Sequence, residues 1–215
     1  HIHVQPNDQF APQNIALNTG QPEERGERDA TYRSIVRNMR DGEVATIPIA
    51  PARLFEGRVT LGKDGPPAAE AQIQMWASQQ KIFGSMTSVE GKTDTDGRFR
   101  ITPYPGVRYG IIAFPPDGQP YQTQRLNDLK WTSGAESKTI DIVLPRAAMA
   151  SGVITEAVSG KPIANASVQY RSMETNPNKR DGIVTGWQGV QKTNDDGEFR
   201  IPVLPGEGWL LVHAF

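Results

Sequence analysis

Two stretches of this chain are near copies: KTDTDGRFRI at Lys92–Ile101 and KTNDDGEFRI at Lys192–Ile201. Each carries an Asp-Gly pair, Asp96-Gly97 and Asp196-Gly197, ahead of an alternating run. Such a pair is a strong hairpin signal, because glycine takes positive φ without a Cβ clash. Phe99 and Ile101 then alternate with Arg98 and Arg100, and Phe199 and Ile201 with Glu198 and Arg200. A period of two predicts half-buried strands, apolar side in and charged side out.

The likeness extends both ways. Downstream, Pro105-Gly106 matches Pro205-Gly206, and YGIIAF from Tyr109 matches WLLVHAF from Trp209. Upstream, GRVT from Gly57 matches GVIT from Gly152, and GPPAAEAQIQMW from Gly65 matches GKPIANASVQYR from Gly160. Ala71, Ile73 and Met75 thereby share a face with Ala166, Val168 and Tyr170. Further upstream, ATIPIAP from Ala45 corresponds to IDIVLPR from Ile140. The unit reads as about seven short strands bounded by Gly, Pro, Asn or Asp, which predicts an all-β fold of successive β-sandwiches. One stretch breaks the pattern: ERDATYRSIVRNMRDG places Tyr32, Ile35, Val36 and Met39 at helical spacing, with Asp41-Gly42 as a stop. It predicts a short helix or helical loop.

The repeat is out of register with the chain. HIHVQP from His1 aligns with YGIIAF and WLLVHA, the fifth strand of each copy. The expected organisation is therefore residues 1–51 as the C-terminal strands of a preceding repeat, 52–147 as a complete sandwich, and 148–215 as the first five strands of a further repeat, incomplete at its C-terminus. An incomplete sandwich leaves an unpaired strand edge. Neighbouring sequence in a longer array would complete it, or another copy of the chain would do so head to tail.

Composition narrows the function. The chain has 215 residues, 37% of them hydrophobic, with Gly 21 and Pro 17, which suits a turn-rich all-β protein. A formal net charge of -1 lacks the basic footprint of a nucleic-acid binder. No apolar run approaches the roughly 20 residues that span a bilayer as a helix. With Cys 0, disulfides and cysteine-ligated metal sites are excluded.

The ordered set GRVT, GPPAAEAQIQMW, TDTDGRFRI, PG and YGIIAF, repeated as GVIT, GKPIANASVQY, TNDDGEFRI, PG and WLLVHAF, resembles the carboxypeptidase regulatory-like domain. It covers most of residues 52–215. The resemblance implies a transthyretin-like Greek-key β-sandwich, close to the immunoglobulin type. It also implies a non-catalytic role, recurring in tandem in exported or envelope-attached bacterial proteins as stalk, spacer or interaction module. Such a protein is extracellular or on the cell surface. It needs no cofactor, and its partners are neighbouring repeats or other copies of the same chain.

Few residues suggest chemistry. His1 and His3 lie at i, i+2 on one strand face and could chelate a metal. HIHV falls where the similarly folded intradiol ring-cleavage dioxygenases carry a His-x-His, which is similar to their ferric site. The later copies have Tyr109 and Ile111, and Trp209 and Leu211, at those places. A copper brace built on His1 would have only His3 and His213 to join it. DTDG and NDDG look like calcium loops, but a twelve-residue loop from Asp94 would need its bidentate glutamate at Pro105. Asp94 and Asp96 read better as turn residues. Arg28, Arg33, Arg37 and Arg40 could grip an acidic glycan or form a solvated face with Glu24, Glu27 and Asp29. No catalytic nucleophile and base pair off.

Of Trp76, Trp131, Trp187 and Trp209, the last sits on a core-type strand and is expected to be buried. Trp76 is out of phase with Ile73 and Met75, and Trp187 lies in a loop-rich stretch. Both are candidate platforms for a glycan. The expected function is thus a structural segment of a tandem β-sandwich protein, assembling by strand complementation between chains in one version. A glycan- or protein-binding module, read by loops near Phe83 and Trp187, is the alternative, and a His-x-His enzyme fragment is a further one.

Overall fold

The structure is a computed structural model that describes residues 2–18, 35–38, 42–44, 46–78, 86–186 and 190–214. Every regular element among them is a β-strand. The chain is an all-β sandwich protein.

The repeated hairpin forms as its residues dictate. Asp94 Oδ1 accepts from the backbone N–H of Asp96 (2.9 Å) and Arg98 (2.8 Å), and Asn194 Oδ1 accepts from Asp196 (3.1 Å) and Glu198 (2.8 Å). Gly97 and Gly197 both sit at φ 71°, where a Cβ would meet the carbonyl oxygens of Val59 and Ile154 at 2.5 Å. Only glycine accepts that conformation and that approach. The following strands bury Phe99 and Ile101, and Phe199 and Ile201, with the charged partners exposed.

Around the first hairpin, two sheets face each other. One joins β4 (Leu54–Leu61) to β7 (Arg98–Ile101) on one side and to β10 (Ser137–Thr139) and β11 (Ile142–Leu144) on the other. The second has β6 (Met86–Lys92), β5 (Gln72–Ser78), β8 (Arg108–Phe114) and β9 (Thr123–Leu129), in that order. Phe55, Val59, Ile73, Met75, Phe99, Ile111 and Leu144 pack between them, as strands with one face inward must.

The second copy repeats this in part. β12 (Ala148–Val153) pairs with β16 (Glu198–Val203), and β13 (Ser167–Ser172) lies between β15 (Gln191–Lys192) and β17 (Gly208–His213). Val168, Tyr170, Phe199, Ile201 and Leu204 form a smaller core. A buried threonine stitches each copy alike. Thr93 Oγ1 donates to Ala68 O and accepts from Ala71 N, while Thr193 Oγ1 donates to Ile163 O and accepts from Ala166 N.

The copies differ in one connection. β6 runs along β5 for seven residues, whereas β15 has two. The chain before β15 instead leaves its own sheet as β14 (Ile183–Val184) and joins the free side of β9, with Ile183↔Gln124 and Val184↔Thr123. Arg125 N donates to Gly182 O at 2.7 Å beside that pair.

Near the N-terminus, β1 (Ile2–Val4), β2 (Gln13–Asn18) and β3 (Ile35–Asn38) form a three-stranded sheet. This corrects the helix expected over residues 27–42 where it is described. Ile35–Asn38 runs parallel to Ile15–Asn18 as a strand. Adjacent β-branched Ile35 and Val36 favour extended backbone, and a ladder partner outweighs a short helical period. The remainder of that stretch, apart from Gly42, lies outside the described residues.

Candidate functional site

Trp76 emerges on the outer face of β5, half-buried, out of phase with Ile73 and Met75 as its position implies. Its indole lies across β8 at Gly110, where a Cβ would come within 2.1 Å of the ring. Glycine is required there for the ring to lie down. Gln74 flanks it and donates to Glu90 at 3.3 Å. One flat aromatic with amide and carboxylate neighbours is a surface that could stack on a sugar. Trp187, the second candidate platform, and Phe83 lie outside the described residues.

His3 is exposed on β1 and hydrogen-bonds the Asn14 side chain of β2. His1 lies outside the described residues, and His213 is exposed on β17. Among the described residues, no three His, Cys, Asp or Glu side chains cluster closely enough to hold a metal ion. No helix among them is long and apolar enough to cross a membrane.

Trp209 corrects an expectation. It is 60% exposed, while Tyr109 at the same repeat position is 2% exposed. The reason lies in the neighbours. Tyr109 packs on Phe55 at 5.0 Å between centroids, and Phe55 packs on Trp131 at 5.3 Å. The Arg53 guanidinium donates to the Tyr109 hydroxyl and to Gly106 O, each at 2.7 Å. The second copy has Ala148 and Ala150 where the first has Arg53 and Phe55. No strand among the described residues covers β17 as β9 covers β8.

Two free edges result. Among the described residues β12 pairs only with β16, and β17 only with β13. Val153, Leu210 and Val212 are exposed there beside Trp209. Residues 47–50 are the converse: apolar residues with Ile49 exposed, outside any strand. They are held where Ala11 N donates to Ala50 O and Ala52 N to Gln9 O.

Where the copies meet, a cleft of about 500 Å³ lies between β5, β9 and β14. Lys92 and Glu70 pair at its rim at 3.1 Å, and Phe114, Gln122, Tyr170 and Thr185 line it. The Gln122 amide nitrogen is buried with no hydrogen-bond partner. Burial pushes the Tyr170 hydroxyl above the usual tyrosine range, opposed by the Asn176 amide that donates to it. The hydroxyl stays protonated and donates to Leu204 O at 3.1 Å.

The sequence reading missed the β9–β14 junction. Its one signal was the stretch from Asn176 to Gly189, in a connection that is longer than its counterpart around Phe83 in the first copy and unlike it in sequence.

No family model and no curated protein matches this chain. Several solved structures are similar in part. A streptococcal ancillary pilin has 13% identity and a TM-score of 0.35 over 86% of this chain and 58% of its own. A variant of the shaft pilin from Lactobacillus rhamnosus GG has 8% identity and a TM-score of 0.33, over 76% of this chain and 88% of its own. A hydroxyquinol 1,2-dioxygenase from Pseudomonas putida has 14% identity and a TM-score of 0.31, over 44% of this chain and 56% of its own. At this level of likeness, none of them assigns a function to the chain.

Proposed function

We propose that this chain is a non-catalytic structural segment of an exported or cell-surface protein, working as a stalk, spacer or assembly subunit. In this reading residues 1–51 are the closing strands of one carboxypeptidase regulatory-like sandwich, 52–147 a complete one and 148–215 the opening strands of the next. The supporting observation is the junction. Three residues, 145–147, separate β11 from β12, and β14 crosses over to extend the sheet of the preceding sandwich through β9. A connection so short, fastened by a second strand pair, leaves little freedom for one sandwich to swing against the other. A spacer transmits length and orientation, and that needs a stiff joint.

Gly182 offers the test. It sits at φ 83°, and a Cβ there would meet Gln124 Nε2 at 2.2 Å and Arg125 O at 2.6 Å. Gly182→Ala should unzip the junction without touching either core. Small-angle scattering should then show a broader, more flexible envelope, and the amides of residues 123–125 and 183–184 should exchange faster. An unchanged profile with those amides already unprotected in the parent chain would refute the stiff-spacer reading.

A second reading, glycan binding, is favoured by Trp76 lying flat on the outer sheet face beside Gln74 and Glu90. Trp76→Ala should abolish any glycan-array signal, and an unchanged signal would exclude that site.

A further inference from the structure

We propose that residues 47–50 of a second copy of this chain add to the free edge of β12 as a parallel strand, closing the last sandwich head to tail. The proposal rests on the reading of the chain as successive sandwiches.

The chain contains its own template for this contact. β11 lies parallel to β4, with Ile142↔Val59, Val143↔Thr60 and Leu144↔Leu61. Ile142 and Leu144 are 2% and 0% exposed, while Val143 is 43% exposed. In sequence Ile47, Pro48 and Ile49 stand at these three places. The setting of the segment matches as well. Ala11 N donates to Ala50 O as Gln122 N donates to Pro145 O, and Ala52 N to Gln9 O as Ala147 N to Pro120 O. The isolated bridge Phe10↔Pro51 repeats Tyr121↔Arg146. Residues 47–50 are thus anchored as β11 is, with no β4 of their own among the described residues.

Pro48 fits the register. In a parallel ladder one strand bonds through alternate residues. Ile140 N donates to Glu56 O and Gly62 N to Leu144 O, so the even-numbered residues of this strand face β4. Val143 faces away, and a proline in its place forfeits no ladder bond.

The acceptor shows the matching deficit. β4 runs to Leu61, but β12 stops at Val153. The other side of the strand is the same in both copies: Val59 N donates to Gly97 O and Ile154 N to Gly197 O, each at 2.8 Å. What β12 lacks, among the described residues, is a partner along its second side. Gly57 makes room for the Ile140 carbonyl, whose oxygen would lie 1.8 Å from any Cβ at that position; the second copy also has glycine there, Gly152, where a Cβ would instead meet the Phe199 ring at 2.9 Å. Glu156 replaces Leu61 at the rim, so the pairing centres on Ile154 and Thr155. Seated there, Ile47 and Ile49 would point at the core of Val168, Phe199 and Ile201.

The chain has no cysteine, so single cysteines can be placed cleanly. Pro48 and Thr155 are both exposed and correspond to the facing pair Val143 and Thr60. P48C chains mixed with T155C chains and a short bismaleimide should give a covalent heterodimer, and P48C with S159C should not. Native mass spectrometry of the parent chain should show a concentration-dependent ladder of oligomers. Ile47→Asp with Ile49→Asp should weaken it by more than about tenfold. A monomer at every concentration, or cross-linking no better than the S159C control, would overturn the proposal. In that case sequence beyond these residues, or a different partner, covers the edge. Either result leaves the spacer reading to its own test, the exchange of the β9 and β14 amides.

Discussion

A single repeat position shows how far a residue's role depends on its surroundings. Tyr109 and Trp209 occupy the same place on the same strand of the two copies, yet one is enclosed and the other open. Tyr109→Ala should cost about 3–5 kcal/mol, because a large buried ring and its hydrogen bonds are lost together. Trp209→Ala in the isolated chain should stay within about 0.5 kcal/mol, the ordinary range for an exposed side chain. Urea midpoints of the two variants would check the contrast. The paired glycines should behave alike instead. Gly97→Ala and Gly197→Ala each combine positive φ with a Cβ 2.5 Å from a carbonyl oxygen, and each should cost at least about 1–3 kcal/mol. Tyr170 adds a pH signature. Its burial favours the neutral phenol, so its contribution to stability is complete below the usual tyrosine pKa of about 10 and is lost as pH rises through the raised folded-state value. Tyr170→Phe should remove that part of the alkaline slope in denaturation curves compared on either side of pH 10.

Among the strands, what matters is which edges have partners. β4 is paired on both sides and reaches Leu61, while β12, at the same place in the repeat, is paired on one side among the described residues and stops at Val153. Hydrogen exchange should register this directly: amides on the unpaired sides of β12 and β17 should exchange much faster than their counterparts in β4 and β8. Equal protection would mean that the edges are already covered in solution. β14 illustrates the opposite case. Two residues, Ile183 and Val184, have no alternating pattern long enough to predict a strand, and they are a strand because β9 offers a free edge beside them. Ile35–Asn38 is similar. Its helical spacing is genuine, but local period is a weak preference that a sheet partner overrides.

Over the whole chain, the first copy carries a continuous core between two sheets, and the second carries a smaller core with two edges that are unpaired among the described residues. The two should not unfold together. Thermal or urea unfolding of the isolated chain should begin at β12–β17 while β4–β11 persist, and residue-resolved exchange under mild denaturant would order the two events. A single concerted transition at all probes would mean that the β9–β14 junction couples the sandwiches completely.

The sequence alone was enough for the all-β class, the inward faces of the repeated strands, the Asp-Gly and Asn-Asp-Asp-Gly turns and the repeat itself. These are encoded locally: a period of two, a glycine at positive φ and an Asx side chain within reach of the next amides need no distant partner. Trp76 was legible as an outward residue for the same reason. The junction at β14, the exposure of Trp209 and the strand at Ile35–Asn38 were settled only by tertiary structure. Each depends on whether a particular edge or ring from elsewhere in the chain lies alongside, and no local pattern carries that information.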